Sequence, residues 1–215
     1  MSRTIFARIL VITSVVMAVG LIVAGGAMKP GYSHVSQYIS ELNATGTPWA
    51  REIGWLGFAP LAVVLFTFLV VAYPGVRVDG VSRLGYLLMF TQPLAYITAA
   101  VAPCDTGCPQ SGSMTQEVHN LLGFLTYVGA GIGLILLSRA SSLGRGARAG
   151  FVFAGGLWLG TFFLMVEPAF ASWRGLLQRI VEAILWLAFL FIAWRMMPDG
   201  RSAARVPSRG WNGCV

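Results

Sequence analysis

Six long apolar stretches constrain this chain more than any other feature of its sequence. They lie near residues 9–28, 53–73, 84–102, 120–138, 150–166 and 175–195. Each approaches the roughly 20 residues that a helix needs to cross a bilayer, and the second to fifth contain no charged residue. Charged residues make up only 11% of the chain, whereas soluble domains carry about 25%. The sequence therefore predicts an all-α integral membrane protein, with a six-transmembrane-helix bundle over residues 1–195.

Basic residues gather at one set of span ends, and this asymmetry predicts the topology. Of the 15 Lys and Arg residues, all but Lys29, Arg51, Arg174 and Arg179 lie on the side of both termini. The positive-inside rule then places both termini in the cytoplasm. It also accounts for the net charge of +7, so we expect the lipid bilayer as partner and no nucleic acid. Residues 196–215 mix Gly, Pro, Ser and Arg without periodicity and predict a flexible basic cytoplasmic tail.

The first apolar stretch has two interpretations. Arg3 and Arg8 before a run that ends in small residues fit a cleavable signal peptide. The run is longer than the usual signal core, which favours a retained first helix. Cleavage would leave five spans and an outward N-terminus, and the intact mass of the purified protein distinguishes the two.

Small residues and one proline predict how the spans pack. Gly129 and Gly133 in the fourth span, and Gly156 and Gly160 in the fifth, are four residues apart. This spacing lets helix backbones approach closely in lipid, so we expect contacts within the bundle at both pairs. Gln92-Pro93 predicts a kink in the third span.

The polar segment between the first two spans has a helical period. Val35, Ile39 and Leu42 recur at i, i+4 and i+7, with His34 and Glu41 on another face. The pattern predicts a short amphipathic helix in the first outer loop. Either its polar face is solvated above the bundle, or His34 and Glu41 line a cleft.

The second outer loop carries two cysteines, Cys104 and Cys108, and leads to a histidine. On the oxidising side of the membrane the cysteines predict a disulfide. A zinc site of Cys104, Cys108 and His119, with Asp105 or Glu117 nearby, is an alternative, and free thiols are another. No cofactor is expected beyond the zinc alternative and a haem held by two histidines.

The sixth span contains ionisable residues, which are expensive inside a membrane and suggest function. Arg174, Gln178, Arg179 and Glu182 lie in its outer portion. Arg179 and Glu182 are three apart and so share a helix face, which predicts that they pair. The four residues form either a structural contact or a lipid- or anion-binding site.

Three motifs together resemble one known family. They are "YSHVSQYISELNATGTP", "PCDTGCPQSG" followed by "HN", and "GLLQRI". The chain resembles, over about residues 8–195, the prokaryotic six-pass membrane family called domain of unknown function 998, and distantly the autophagy-modulator type. The resemblance implies a prokaryotic cytoplasmic membrane and a retained first helix, but no reaction. The matching motif positions are His34, Ser36, Ser40, Glu41, Gly46, Cys104, Asp105, Cys108, His119, Gln178 and Arg179.

Three functions follow as hypotheses. The first is a non-enzymatic protein whose outward polar cap binds lipid headgroups or a membrane-protein partner. The second is an outer-leaflet hydrolase or transferase of a lipid-linked substrate, metal-assisted or not, with Arg174 or Arg179 as anion clamp. The third is a small transporter, which the scarcity of charge at mid-membrane disfavours. The candidate catalytic residues are His34, Glu41, Asp105, Glu117 and His119.

Overall fold

The computed structural model describes residues 1–197, so most of the predicted tail lies outside the described residues. The described chain is built of helices joined by turns, and six helices are long and apolar enough to cross a membrane. This confirms the predicted six-helix fold of a multi-pass membrane protein. The spans are Arg3–Met28, Ala50–Gly75, Gly80–Val101, Met114–Leu137, Arg145–Val166 and Arg174–Met196.

The six spans form a closed ring. Each span packs against the next one in the chain, and the first packs against the sixth. Aromatic and aliphatic side chains such as Leu65, Phe68 and Phe189 are fully buried inside the ring. Large apolar side chains also cover the outside, where Leu56 is 77% and Leu187 65% exposed. An apolar exterior of this extent suits contact with lipid tails.

Three connections meet at one end of the bundle, and we call them the cap: residues 29–49, 102–113 and 167–173. The Thr45 amide donates to the Cys104 carbonyl oxygen, which joins the first two connections. The amide of Leu176 donates to the Val35 carbonyl oxygen, which fastens the first connection to the sixth span. The other two connections, residues 76–79 and 138–144, lie at the opposite end, on the side of the N-terminus.

The short helix in the first connection is a 3-10 helix over Ile39–Asn43. Of the three apolar residues predicted to recur on one helix face, Ile39 and Leu42 are buried, whereas Val35 is 43% exposed. The prediction that Glu41 shares a polar face with His34 is wrong, because Glu41 is only 2% exposed. Tyr38 has an extended backbone conformation. Because the chain is not helical at this residue, His34 and Glu41 do not lie on one face of a continuous helix.

The third span is interrupted where the sequence predicts a kink. Its two pieces, Gly80–Leu88 and Thr91–Val101, are separated by a turn. Pro93 has no N–H with which to bond the Met89 carbonyl oxygen four residues earlier, so the helix cannot run on unchanged. The break leaves Gln92 fully enclosed in the bundle.

Close backbone contacts use only some of the glycines that the sequence singles out. A Cβ at Gly129 or Gly133 would lie within 3 Å of atoms of the third span, as predicted. A Cβ at Gly156 or Gly160 would meet nothing within 4 Å, so the prediction for this pair is wrong. The fifth span instead approaches the fourth at Gly155, because the helix is rotated by one residue from the expected face.

Replacing Gly85 by Ala should destabilise the bundle, because the third and fourth spans touch there through their backbones. The new Cβ would lie 2.7 Å from the Leu137 nitrogen and 2.8 Å from the Gly133 oxygen. Overpacking of this kind costs about 1–3 kcal/mol, which unfolding of the purified protein in detergent measures. Gly156→Ala is the matched control and should be neutral. Equal stability of the two variants would contradict the close approach.

Candidate functional site

Two adjoining cavities lie beneath the cap. The outer cavity, of about 510 Å³, lies between the cap and the fourth, fifth and sixth spans. The inner chamber, of about 70 Å³, lies deeper and also touches the second and third spans. The inner chamber adjoins the outer cavity, because the two have lining residues in common. These are Ser40, His119, Gly123, Tyr127 and Gln178.

The outer cavity is amphipathic. Arg174, His119 and Asn120 give it a polar end, and Asn120 is bonded to carbonyl oxygens of the cap. Its apolar wall includes Phe124 and Phe163, which are also 48% and 57% exposed on the outside of the bundle. The cavity therefore extends from the polar cap to the surface that faces lipid.

Arg174 organises the polar end of the outer cavity. Its Nε donates to the Ser36 carbonyl oxygen, at 3.1 Å. Its Nη2 donates to a Glu41 carboxylate oxygen at 3.1 Å and to the Gly107 carbonyl oxygen at 3.0 Å. The guanidinium also lies 4.5 Å from the centre of the Tyr38 ring. A guanidinium has five N–H donors, and these bonds use three of them, while the side chain also lines the outer cavity beside Tyr38.

The three carboxylates proposed as catalytic acids hold the cap together instead. Glu41 accepts hydrogen bonds from Arg174 and from the Tyr38 amide. Asp105 accepts from the amide and hydroxyl of Ser113, and these bonds lower the pKa of its carboxyl. Glu117 accepts from the backbone amide of residue 112. None of the three lines either cavity within residues 1–197.

Arg179 and His34 lie on the other side of the first connection, away from the cavities. Arg179 Nη2 donates to His34 Nδ1 at 3.0 Å and to the Tyr32 hydroxyl at 2.7 Å. Nη1 of the same side chain donates to the Gln37 carbonyl oxygen. The predicted pairing of Arg179 with Glu182 is therefore wrong. The cap supplies acceptors for the arginine, while the helix turns Glu182 towards the third and fourth spans.

His119 lines both cavities. Its Nδ1 lies 2.9 Å from the Ala102 carbonyl oxygen, which can only accept, so Nδ1 carries the proton. In the neutral ring, Nε2 then keeps a lone pair and acts as an acceptor. The histidine can accept a hydrogen bond from a ligand or take a proton from it.

Cys104 and Cys108 form the predicted disulfide, which closes a tight loop in the cap. The ligand atoms of the two cysteines and His119 lie within 4.8 Å of one another, as the alternative zinc site would require. Zinc is bound by thiolate sulfur, however, and the disulfide consumes both thiols. The oxidised protein therefore offers only His119 from this set.

Glu182 occupies the inner chamber and is 7% exposed. Gln92 Nε2 donates to both of its oxygens, at 3.1 and 2.9 Å. The hydroxyl of Tyr96 donates at 2.6 Å and that of Tyr127 at 3.5 Å. Gln178 donates in turn to the Tyr127 hydroxyl, at 3.0 Å. The third, fourth and sixth spans thus meet around one buried carboxylate.

The sequence analysis missed the two tyrosines of this network and Gly123, which lines both cavities. A signal was present for the tyrosines. A buried Tyr hydroxyl usually has a hydrogen-bond partner, and Tyr96 and Tyr127 each stand in an apolar span. Their presence indicates a buried acceptor, for which Glu182 was the available carboxylate. Gly123 had no such signal, because the sequence pattern around a glycine that lines a cavity does not differ from that around other small residues in a span.

Comparison with protein families adds one finding. The family model described as "Protein of unknown function (DUF998)" matches residues 11–195. The match extends from the first span to the end of the sixth and includes the whole cap and both cavities. Comparisons with curated proteins and with solved structures gave no match.

The contact between His34 and Arg179 predicts an acidic limit to the stability of the cap. Burial, and then the positive charge of Arg179, lower the pKa of His34 below its ordinary value of about 6.5. The unfolded chain binds the proton more tightly, so this contact loses stability as pH falls from about 6.5 through the folded pKa. Titration of the His34 ring by NMR should give a midpoint below about 6.5, and Arg179→Gln should raise it. A midpoint above that value would contradict the arrangement, and His34→Gln identifies the signal.

Proposed function

The chain belongs to the DUF998 family of proteins of unknown function, and we propose that it binds a membrane lipid whose head group enters the outer cavity. The amphipathic shape of this cavity is the observation that carries the proposal. Its polar end lies under the cap, and its apolar wall reaches the lipid-facing surface between the fourth and fifth spans. Its volume of about 510 Å³ lies within the roughly 300–1,000 Å³ typical of ligand pockets.

Arg174 and His119 favour a phosphate-containing head group that also carries a hydroxyl. The guanidinium of Arg174, which lines the cavity, suits the oxygens of a phosphate ester. His119 Nε2 suits a hydroxyl donor, since Nδ1 is already bonded to Ala102. An anionic phospholipid with a hydroxylated head group, such as phosphatidylglycerol, has both features.

The apolar part of the cavity provides a path for the acyl chains. Phe124, Phe162 and Phe163 line it, and the rings of Phe124 and Phe162 lie 6.1 Å apart. Chains that leave the cavity along these rings continue into the surrounding bilayer without crossing polar groups. A concave site that opens sideways into the membrane favours a lipid over a membrane-protein partner, which would need a broad flat surface.

The distribution of basic residues supports a location for this site. Eleven of the 15 Lys and Arg residues lie on the side of both termini and would face the cytoplasm, so the cap would face outward. In a prokaryotic cytoplasmic membrane, the lipid would then enter from the outer leaflet.

A hydrolase or transferase acting on such a lipid is a second candidate, favoured by His119. Its imidazole, with a lone pair on Nε2, lines a cavity that also contains the Arg174 guanidinium. His119 would take the proton from an attacking water or hydroxyl, and Arg174 would stabilise the negative charge that develops on the ester. His34, Glu41, Asp105 and Glu117 have no part in this reaction, because they lie outside both cavities.

Filling the outer cavity should abolish lipid binding without removing any polar group. Gly123 lines the cavity, and a Cβ added there meets nothing within 4 Å. Gly123→Leu should therefore weaken the binding of fluorescent phosphatidylglycerol to the detergent-solubilised protein by about tenfold or more. Loss of a charge-assisted hydrogen bond is worth about 1.5–3 kcal/mol, so Arg174→Gln should have an effect of similar size.

Two matched controls separate these effects from general changes. Gly160→Leu adds the same side chain at an exposed position of the fifth span. Arg51→Gln removes the same charge at the cap end, outside the cavity. Both should bind phosphatidylglycerol like the unchanged protein. Equal binding by Gly123→Leu and Gly160→Leu would refute the cavity as the lipid site.

His119 distinguishes binding from catalysis. General-base catalysis typically contributes about 10²–10⁴-fold to a rate, so His119→Asn should lower any head-group release from phosphatidylglycerol by that factor. Lipid binding should change far less, because Arg174 and the apolar wall remain. The measurement is the appearance of free head group from labelled lipid. Release that is undetectable in the unchanged protein, or unaffected by the substitution, would reject the enzymatic candidate and leave lipid binding in place.

A further inference from the structure

Among residues 1–197, no cation bonds to Glu182 to balance its charge. All four hydrogen bonds that it receives from the described residues come from an amide and two hydroxyls, which are neutral. Arg179, one turn earlier on the same helix, is turned to the cap. A carboxylate inside a membrane bundle is stable only with a positive partner or a proton. The inner chamber therefore requires one or the other.

The walls of the chamber suit an organic cation. Phe58, Tyr96 and Tyr127 all line it, and the rings of Phe58 and Tyr96 lie 6.3 Å apart. Aromatic faces attract cations, and ammonium groups are recognised in this way. Calcium, in contrast, takes six to eight oxygen ligands, whereas the chamber offers a single carboxylate with a few hydroxyls. The lining favours an ammonium group over a metal ion.

The size of the chamber limits what can enter. Its volume is about 70 Å³, and one water molecule occupies about 30 Å³ of liquid. A space of this size favours a small group such as ammonium or methylammonium over a quaternary ammonium with its four carbon substituents. The group would arrive through the outer cavity, past His119 and Gly123, which line both spaces.

We propose that the inner chamber binds a primary ammonium group, with Glu182 as its counter-ion and the rings of Tyr96 and Tyr127 as its walls. The ammonium belongs either to a free small amine or to the head group of an amine-containing lipid. The site goes beyond the proposed lipid binding in the outer cavity, because a free amine would occupy the chamber without any lipid.

Methylammonium chloride tests the site on the full chain. The purified protein in detergent is heated at rising methylammonium concentration, with sodium chloride keeping the ionic strength constant. A ligand that binds the folded protein raises its unfolding temperature, so methylammonium should stabilise the protein and tetramethylammonium should not. No stabilisation by methylammonium would overturn the proposal, and is the result expected if Glu182 is protonated and binds no cation. Equal stabilisation by both cations would also overturn it.

Two variants assign the effect to the chamber. Glu182→Gln keeps the shape but removes the charge, and should weaken the apparent affinity for methylammonium by about tenfold or more. Ala95 also lines the chamber, so Ala95→Leu should block it while Glu182 stays in place. Glu52→Gln is the matched control, because Glu52 is exposed at the cap end of the second span and lines neither cavity. Stabilisation that survives both chamber variants would overturn the proposal.

A competition experiment with lipids identifies the source of the ammonium group. In phosphatidylglycerol nanodiscs, added phosphatidylethanolamine should compete with methylammonium if the natural ligand is an amine lipid. Lack of competition would assign the site to a free amine, which supports the chamber equally. The outer cavity is judged separately, because Gly160→Leu and Gly123→Leu are compared by phosphatidylglycerol binding alone. Failure of either proposal is thus visible without the other.

Discussion

The ion pair between Arg174 and Glu41 is the contact on which the arrangement of the cap depends. One guanidinium holds the first connection through Ser36 and Glu41 and the second through Gly107. Exposed ion pairs contribute at most about 1 kcal/mol, and loss of one partner of a buried pair costs about 3–5 kcal/mol. With 23% of the Arg174 side chain exposed and 3% of that of Glu41, this pair lies between those limits. The main effect of the pair is geometric, because it holds the Arg174 guanidinium in place at the polar end of the outer cavity.

Gln178 connects the cap to the interior of the bundle through hydrogen bonds. Its Oε1 accepts from the Ile39 amide, and its Nε2 donates to the Tyr127 hydroxyl, which donates to Glu182. Polar groups inside a membrane have to be satisfied by the protein itself. The same amide therefore completes the 3-10 helix of the cap and the network around the buried carboxylate. A movement of the cap would change the hydrogen bonding of Glu182 through this one residue.

The features that could be predicted from the sequence are those that depend on a local pattern of residues. The six spans follow from length and hydropathy, and the disulfide follows from two cysteines four residues apart. The partners of Glu41, Arg179 and Glu182 depend on helix rotation and on residues more than 80 positions away. Spacing along one helix suggested a pair of Arg179 with Glu182, but better acceptors and donors came from other segments. The cavities likewise arise from how three spans and the cap fit together, which no local pattern contains.

The two cavities adjoin, and this links the two proposed ligands. An amine bound beside Glu182 would enter past His119 and Gly123, which line both cavities. A lipid with its head group at Arg174 and its chains along Phe163 would therefore close the way to Glu182. An amine lipid avoids this conflict, because one molecule then fills the chamber with its ammonium and the outer cavity with its remainder. A free amine and a phosphatidylglycerol molecule would instead bind in a fixed order, with the amine entering first and leaving last.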